Sequence, residues 1–162
     1  MPRRARELSG HGGLLRAVAA GRERGLLFGA GTIITPEQLH AAADAGAAYV
    51  VSPGLDPQLI ALAEERGMPM VPGVATASEI LQARNLGLTW LKAFPASVPG
   101  AAWFTAMLGP FSGLKLVATV GVTGRNAADF LAAGAFVIGV GGAFGDPAQL
   151  ERIAALIATH VA

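Results

Sequence analysis

Residues 46–67 read GAAYVVSPGLDPQLIALAEERG. A glycine is followed at once by the apolar run Ala47–Val51, then by Ser52-Pro53-Gly54, Asp56-Pro57 and an amphipathic segment that closes at Gly67. A short continuous apolar run suits a strand buried on both faces. Asp followed by Pro supplies a side-chain acceptor and a pre-set φ for a helix start. A glycine just past the last apolar position permits the left-handed turn that ends a helix. The stretch is one strand–turn–helix unit.

The unit recurs along the chain. Such glycines stand at Gly25, Gly46, Gly67, Gly87, Gly113 and Gly134, separated by 21, 21, 20, 26 and 21 residues, each with an apolar run after it. Helix-start chemistry lies between them in Thr35-Pro36-Glu37-Gln38, in Thr76-Ala77-Ser78-Glu79 and in Asp146-Pro147 with Gln149, and Asn126 with Asp129 resembles a capping box. Helices are predicted at 37–45, 57–66, 77–86, 99–109, 126–133 and 147–161, after an N-terminal helix near 13–24. Repeated βα units imply a parallel sheet with helices outside it. Units of this length without a nucleotide fingerprint favour an α/β chain of the (β/α)8 TIM-barrel type. Only six units are present, so the barrel is expected to be incomplete and to lack its first two strands. The predicted organisation is an N-terminal tail, 1–12, followed by one partial barrel domain, 13–162.

Composition narrows the function classes. The 162 residues are 52% hydrophobic and 14% charged, which excludes a disordered chain and a coiled coil. Twelve basic against eleven acidic residues leave a net charge of +1, so neither nucleic acid nor an anionic membrane is an expected partner. No apolar run reaches the length of a membrane helix, and the opening MPRRARELSGHGG has no apolar core of a secretory signal. A cytoplasmic location is the expectation. The absence of cysteine excludes a disulfide scaffold and a thiolate site or nucleophile. His40 and His160 have no ligand partner one turn on, and neither a metal nor a cofactor is expected.

In parallel α/β folds the chemistry sits at the C-terminal ends of the strands. Those ends carry small residues, prolines, threonines and one lysine, Lys92, which interrupts the apolar strand LTWLKAFP. Strand alternation puts Trp90, Lys92 and Phe94 on one face. An amine enclosed there is costly to keep charged, and a neutral amine attacks a carbonyl to give a Schiff base. The alternative is a strand-end lysine reaching solvent. Lys115, at the start of a strand, faces the opposite end of the sheet and is expected in solvent. Gly121, Gly141 and Gly142 suit either an anion site in the loops after the last two strands or tight turns. Trp103, Phe104 and Met107 lie at helical spacing and suit packing or a subunit contact.

Six motifs in order, GAGTI-x3-EQ, AGA-x-YVVSPG, PGVATASE, LKAFPA, GPF and N-x3-FLAAGA, resemble the 2-keto-3-deoxy-6-phosphogluconate (KDPG) / 4-hydroxy-2-oxoglutarate aldolase family from about residue 14 to 150. The resemblance implies a class I aldolase on a (β/α)8 barrel, homotrimeric, cleaving a 4-hydroxy-2-keto acid to pyruvate and an aldehyde. It implies Lys92 as the Schiff-base lysine, Thr32 and Thr119 lining the pyruvyl group, Pro53 and Phe94 shaping the pocket, and a small 2-keto acid as partner. The family's strand-two motif, with its proton-shuttling glutamate, has no full counterpart. Glu7 is the nearest candidate, either its remnant or an exposed residue of the tail. Val120 and Ala143 replace the family's usual glycine and serine, which implies weakened phosphate recognition and a smaller, unphosphorylated substrate. The rival readings are a non-catalytic oligomeric relative that keeps the scaffold and, disfavoured by Lys92, a thiamine-phosphate-synthase-like enzyme.

Overall fold

The structure, a computed structural model, describes residues 5–8, 27–141 and 146–160. The chain forms two compact units, Met1–Gly73 and Val74–Ala162. Strands and helices alternate along both in the order of an incomplete (β/α)8 chain.

The first unit carries a parallel sheet in the order β1 (Ala5–Leu8), β2 (Leu27–Ala30), β3 (Tyr49–Val51), β4 (Met70–Val71). Residues 5–8 are thus a strand, not part of a loose tail. Ala5 pairs with Leu27 and Glu7 with Gly29. Arg6 and Glu7 break the apolar run that marks the other strands, so periodicity does not reveal a strand defined by its backbone ladder. The N-terminal helix expected near 13–24 lies outside the described residues. Helices α1 (Pro36–Asp44) and α2 (Pro57–Glu65) bury Leu39 and Ala42, and Leu59, Ile60 and Ala63. Gly29 is required where it stands, because any Cβ there would collide with the Tyr49 ring on the neighbouring strand.

The strand expected after Gly67 is cut in two. Pro72 has no N–H to continue a ladder, and β4 ends before it. Beyond it, β5 (Gly73–Val74) opens a second parallel sheet, followed by β6 (Trp90–Ala93), β7 (Lys115–Thr119) and β8 (Val137–Gly139). Lys92 pairs with Val117 and Ala93 with Ala118; Thr119 pairs with Gly139. On one face of this sheet Leu91, Ala93, Leu116 and Ala118 are fully buried. The unit's helices are α3 (Ala77–Asn85), α4 (Ala101–Leu108), α5 (Ala127–Ala132) and α6 (Pro147–His160). Phe104 of α4 is fully buried and meets Phe130 of α5 edge-on, with ring centroids 5.5 Å apart. No helix among the described residues is long and apolar enough to cross a membrane.

Local chemistry fixes both ends of the helices. Thr35 with Gln38 and Thr76 with Glu79 form reciprocal capping boxes, and Asp56 accepts from the N–H groups of Gln58 and Leu59. At the other ends, Gly46, Gly67, Gly87 and Gly134 are left-handed. The residue after each donates back into the last turn: Ala47 to Ala42, Met68 to Ala63, Leu88 to Ala83 and Ala135 to Phe130, at 2.8–3.0 Å. Lys115, expected in solvent, is half-buried. Its Nζ stands 5.0 Å over the Trp90 ring and 5.4 Å over that of Phe136, at the N-terminal edge of the sheet.

Gly67→Ala should cost about 1–2 kcal/mol in urea unfolding. Open space surrounds the added methyl, so backbone conformation is what the substitution tests. Burial works against the Glu79 carboxylate. The Ala75 N–H, the Thr76 hydroxyl and the Thr76 N–H all donate to it and outweigh burial, so its pKa lies below the ordinary value. A depressed folded-state pKa contributes stability above the unfolded value and loses it as pH falls through the folded one. Glu79→Ala should therefore cost about 1 kcal/mol at neutral pH. Its deficit against the parent should shrink in unfolding curves taken below about pH 4.

Candidate functional site

Lys92 is the third residue of β6 and is 5% exposed. Two residues on, Phe94 shares its face, and the Lys92 Nζ lies 4.6 Å from the centre of that ring. A cation over a ring face is held by the ring quadrupole while its stem stays in apolar surroundings. Thr119 ends β7 on the same face, because Lys92 pairs with Val117 and strand alternation brings Thr119 round two residues later. Its side chain is buried, and Oγ1 has no hydrogen-bond partner among the described residues. Gly139 opposite leaves it room: a Cβ there would stand 2.8 Å from Thr119 Cγ2. The second unit thus presents a buried primary amine and an unsatisfied hydroxyl on one face of one sheet.

The chain beyond Thr119 is strained. Val120 has φ +64° and Gly121 φ +83°. A β-branched residue in the left-handed region costs on the order of 1–3 kcal/mol and persists only where its surroundings over-determine it. Here three successive carbonyls are held. Thr119 O accepts from Ala96 N at 2.8 Å and Val120 O from Ser97 N at 3.2 Å; Gly121 O accepts from Asn126 Nδ2 at 2.9 Å. Asn126 does not cap α5, contrary to its reading with Asp129. The cap has moved upstream: Thr123 Oγ1 accepts from Arg125 N at 3.3 Å, and Asn126 Oδ1 accepts from Thr123 N at 2.7 Å. The signal lay in Thr123, three residues before Asn126, where a reciprocal box fits equally well.

The other expected site residues fall as follows. Gly141 follows β8 and is exposed, with open space where a side chain would be. Gly142 lies outside the described residues. Thr32, in the first unit, is exposed and left-handed at φ +61°. Pro53 is half-buried, and its carbonyl would block any Cβ at Gly73. With Ser52, whose Oγ donates to Gly54 O at 2.5 Å, it borders a small cleft of about 230 Å³. The Glu7 backbone belongs to β1, opposite Gly29; its side chain lies outside the described residues. Among the described residues no three His, Asp or Glu side chains gather as a metal site would require.

The family described as KDPG and KHG aldolase matches residues 12–156. The 2-dehydro-3-deoxy-phosphogluconate aldolase of Treponema pallidum is 39% identical over 136 residues, 82% of this chain and 64% of the relative, so the chain spans less than two thirds of that protein. The 2-keto-3-deoxy-6-phosphogluconate aldolase structure from Zymomonas mobilis superposes with a TM-score of 0.77 at 28% identity, over 94% of this chain and 75% of that one. The KDPG aldolase of Legionella pneumophila, with pyruvate captured at low pH as a covalent carbinolamine intermediate, gives a TM-score of 0.72 at 31% identity, over 78% of this chain and 61% of that one.

Thr119→Val removes a buried hydroxyl that has no partner among the described residues and keeps its shape. It should leave the fold intact and raise stability by about 1 kcal/mol, read as a higher urea midpoint at unchanged slope.

Proposed function

The chain belongs to the KDPG and KHG aldolase family, and on that premise we propose that it acts as a class I aldolase through Lys92. The observation that carries the reading is the Lys92 amine, buried on β6 above Phe94 and sharing its face with the unsatisfied Thr119 hydroxyl. The carbinolamine of the Legionella pneumophila relative supports the same chemistry. The substrate is a 4-hydroxy-2-keto acid. The Lys92 amine, once deprotonated, adds to the C2 carbonyl; uptake of one proton and loss of water then leave a protonated imine. The imine nitrogen draws in the electron pair of the C3–C4 bond as the C4 hydroxyl gives up its proton to a carboxylate base, which returns it at C3. An aldehyde departs and an enamine remains. Protonation at C3 and addition of water return pyruvate and the lysine.

The remaining roles follow from motif positions. The Thr119 hydroxyl gains its missing partner from a pyruvyl oxygen, and Phe94 lies against the pyruvyl group. Thr32 and Pro53 carry the other pyruvyl-lining positions of the family pattern. Glu7 takes the proton-shuttling position, and Gly121, Gly141 and Gly142 the positions that meet the far end of the substrate. Val120, in place of glycine, favours an unphosphorylated acceptor. The family reading puts the chain in the cytoplasm as a homotrimer.

Pyruvate with sodium borohydride, followed by peptide mass spectrometry, tests the reading. A reduced pyruvyl adduct should appear on the peptide containing Lys92 and vanish in Lys92→Ala, whose cleavage rate on 4-hydroxy-2-oxoglutarate should fall by more than about a thousandfold. No adduct in a sample folded by circular dichroism would overturn it and leave the non-catalytic relative.

A further inference from the structure

We propose that Asn126 is a positioning residue: its side-chain amide holds Val120 and Gly121 in their left-handed conformation and thereby fixes the Thr119 hydroxyl beside Lys92. The proposal rests on the aldolase reading, which supplies the ligand for that hydroxyl.

The argument starts from what Asn126 does beyond a helix cap. A cap at Thr123 requires only an acceptor, and Asn126 Oδ1 provides it, receiving Thr123 N at 2.7 Å and Thr123 Oγ1 at 3.2 Å. The opposite end of the same amide, Nδ2, reaches back to Gly121 O at 2.9 Å. That second bond contributes nothing to the helix. It closes on the carbonyl that follows a valine held at φ +64°. Valine is half exposed here, so packing of its own side chain does not hold it there. The backbone is held instead, by Ala96 N on Thr119 O, by Ser97 N on Val120 O and by Asn126 on Gly121 O. The first two donors lie three and four residues beyond β6, the strand of Lys92. Only the third is a side chain, and it is the one a substitution can remove. Without it, the strained Val120 relaxes toward an ordinary φ value and turns the end of β7, with the Thr119 side chain, away from its place.

Asn126→Asp separates the two roles. It keeps an acceptor for Thr123 and loses the donor to Gly121. Asn126→Ala loses both. Val120→Gly removes the strain, since glycine adopts positive φ without being held. The readout is the pyruvate concentration that gives half-maximal borohydride trapping. The expectation is a rise of about tenfold in Asn126→Asp and in Asn126→Ala, and a rise of no more than about twofold when either is made in the Val120→Gly background. Wild-type behaviour of Asn126→Asp would mean that Asn126 is only a cap and would overturn the proposal. An equal loss in both backgrounds would overturn it too, because a new carboxylate repelling pyruvate acts whether residue 120 is valine or glycine. Absence of trapping in the parent chain marks failure of the aldolase reading itself. The same double-mutant cycle read by urea unfolding then decides the clamp: coupling between positions 120 and 126 supports it, and additivity overturns it.

Discussion

Everything in this chain depends on stopping a helix and reversing direction within about two residues. Parallel strands cannot be joined by tight hairpins, so each needs a crossover helix that ends on time. The bond from the residue after each glycine into the preceding turn, as from Met68 to Ala63 or Leu88 to Ala83, performs that reversal. It satisfies carbonyls that the helix leaves open and delivers the chain directly into the next strand. The spacing of the units follows from it. So does the placement of strand ends, and with them the residues that carry chemistry.

The same economy does not hold at the opposite ends of the strands, where the backbone is allowed to be costly. Thr32 and Val120 are both β-branched and both left-handed, one at the end of the β2 segment and one after β7. Nothing in helix or strand formation calls for either. Strain of this kind gathers where a side chain must be aimed rather than where a fold must be stable. The Thr119 hydroxyl, buried without a partner among the described residues, belongs to the same bargain. Stability given up at the strand ends is recovered on the covered face of the second sheet, where Leu91, Ala93, Leu116 and Ala118 are fully enclosed.

Much of this was legible in the sequence because the relevant physics is local. The boxes at Thr35 and Thr76 and the Asp56 cap involve residues three apart or fewer, and the glycine turns involve a single φ. The face shared by Lys92 and Phe94 follows from strand alternation alone. What escaped was set by partners distant in the chain or by competition between equivalent local choices. β1 is a strand because β2 offers it a ladder, and Arg6 and Glu7 give no apolar signal of that. Lys115 rests on aromatic rings because register brings Trp90 beside it and Phe136 lies near. Asn126 had two equivalent boxes to join, and the one with Thr123 prevailed. The strain at Val120 was visible only as a departure from a family pattern until its φ was known.

The chromophores divide along the same line as the units. The chain has two tryptophans and one tyrosine. Trp90 stands in the aromatic cluster with Phe136, and Trp103 stands against Phe104, both in the second unit. Tyr49 lies over Gly29 in the first. Light absorbed by indole alone therefore reports on the half of the molecule that holds Lys92, while phenol emission belongs to the other half. The protein carries a two-colour record of its own cooperativity, in which the two halves can be watched separately without a label.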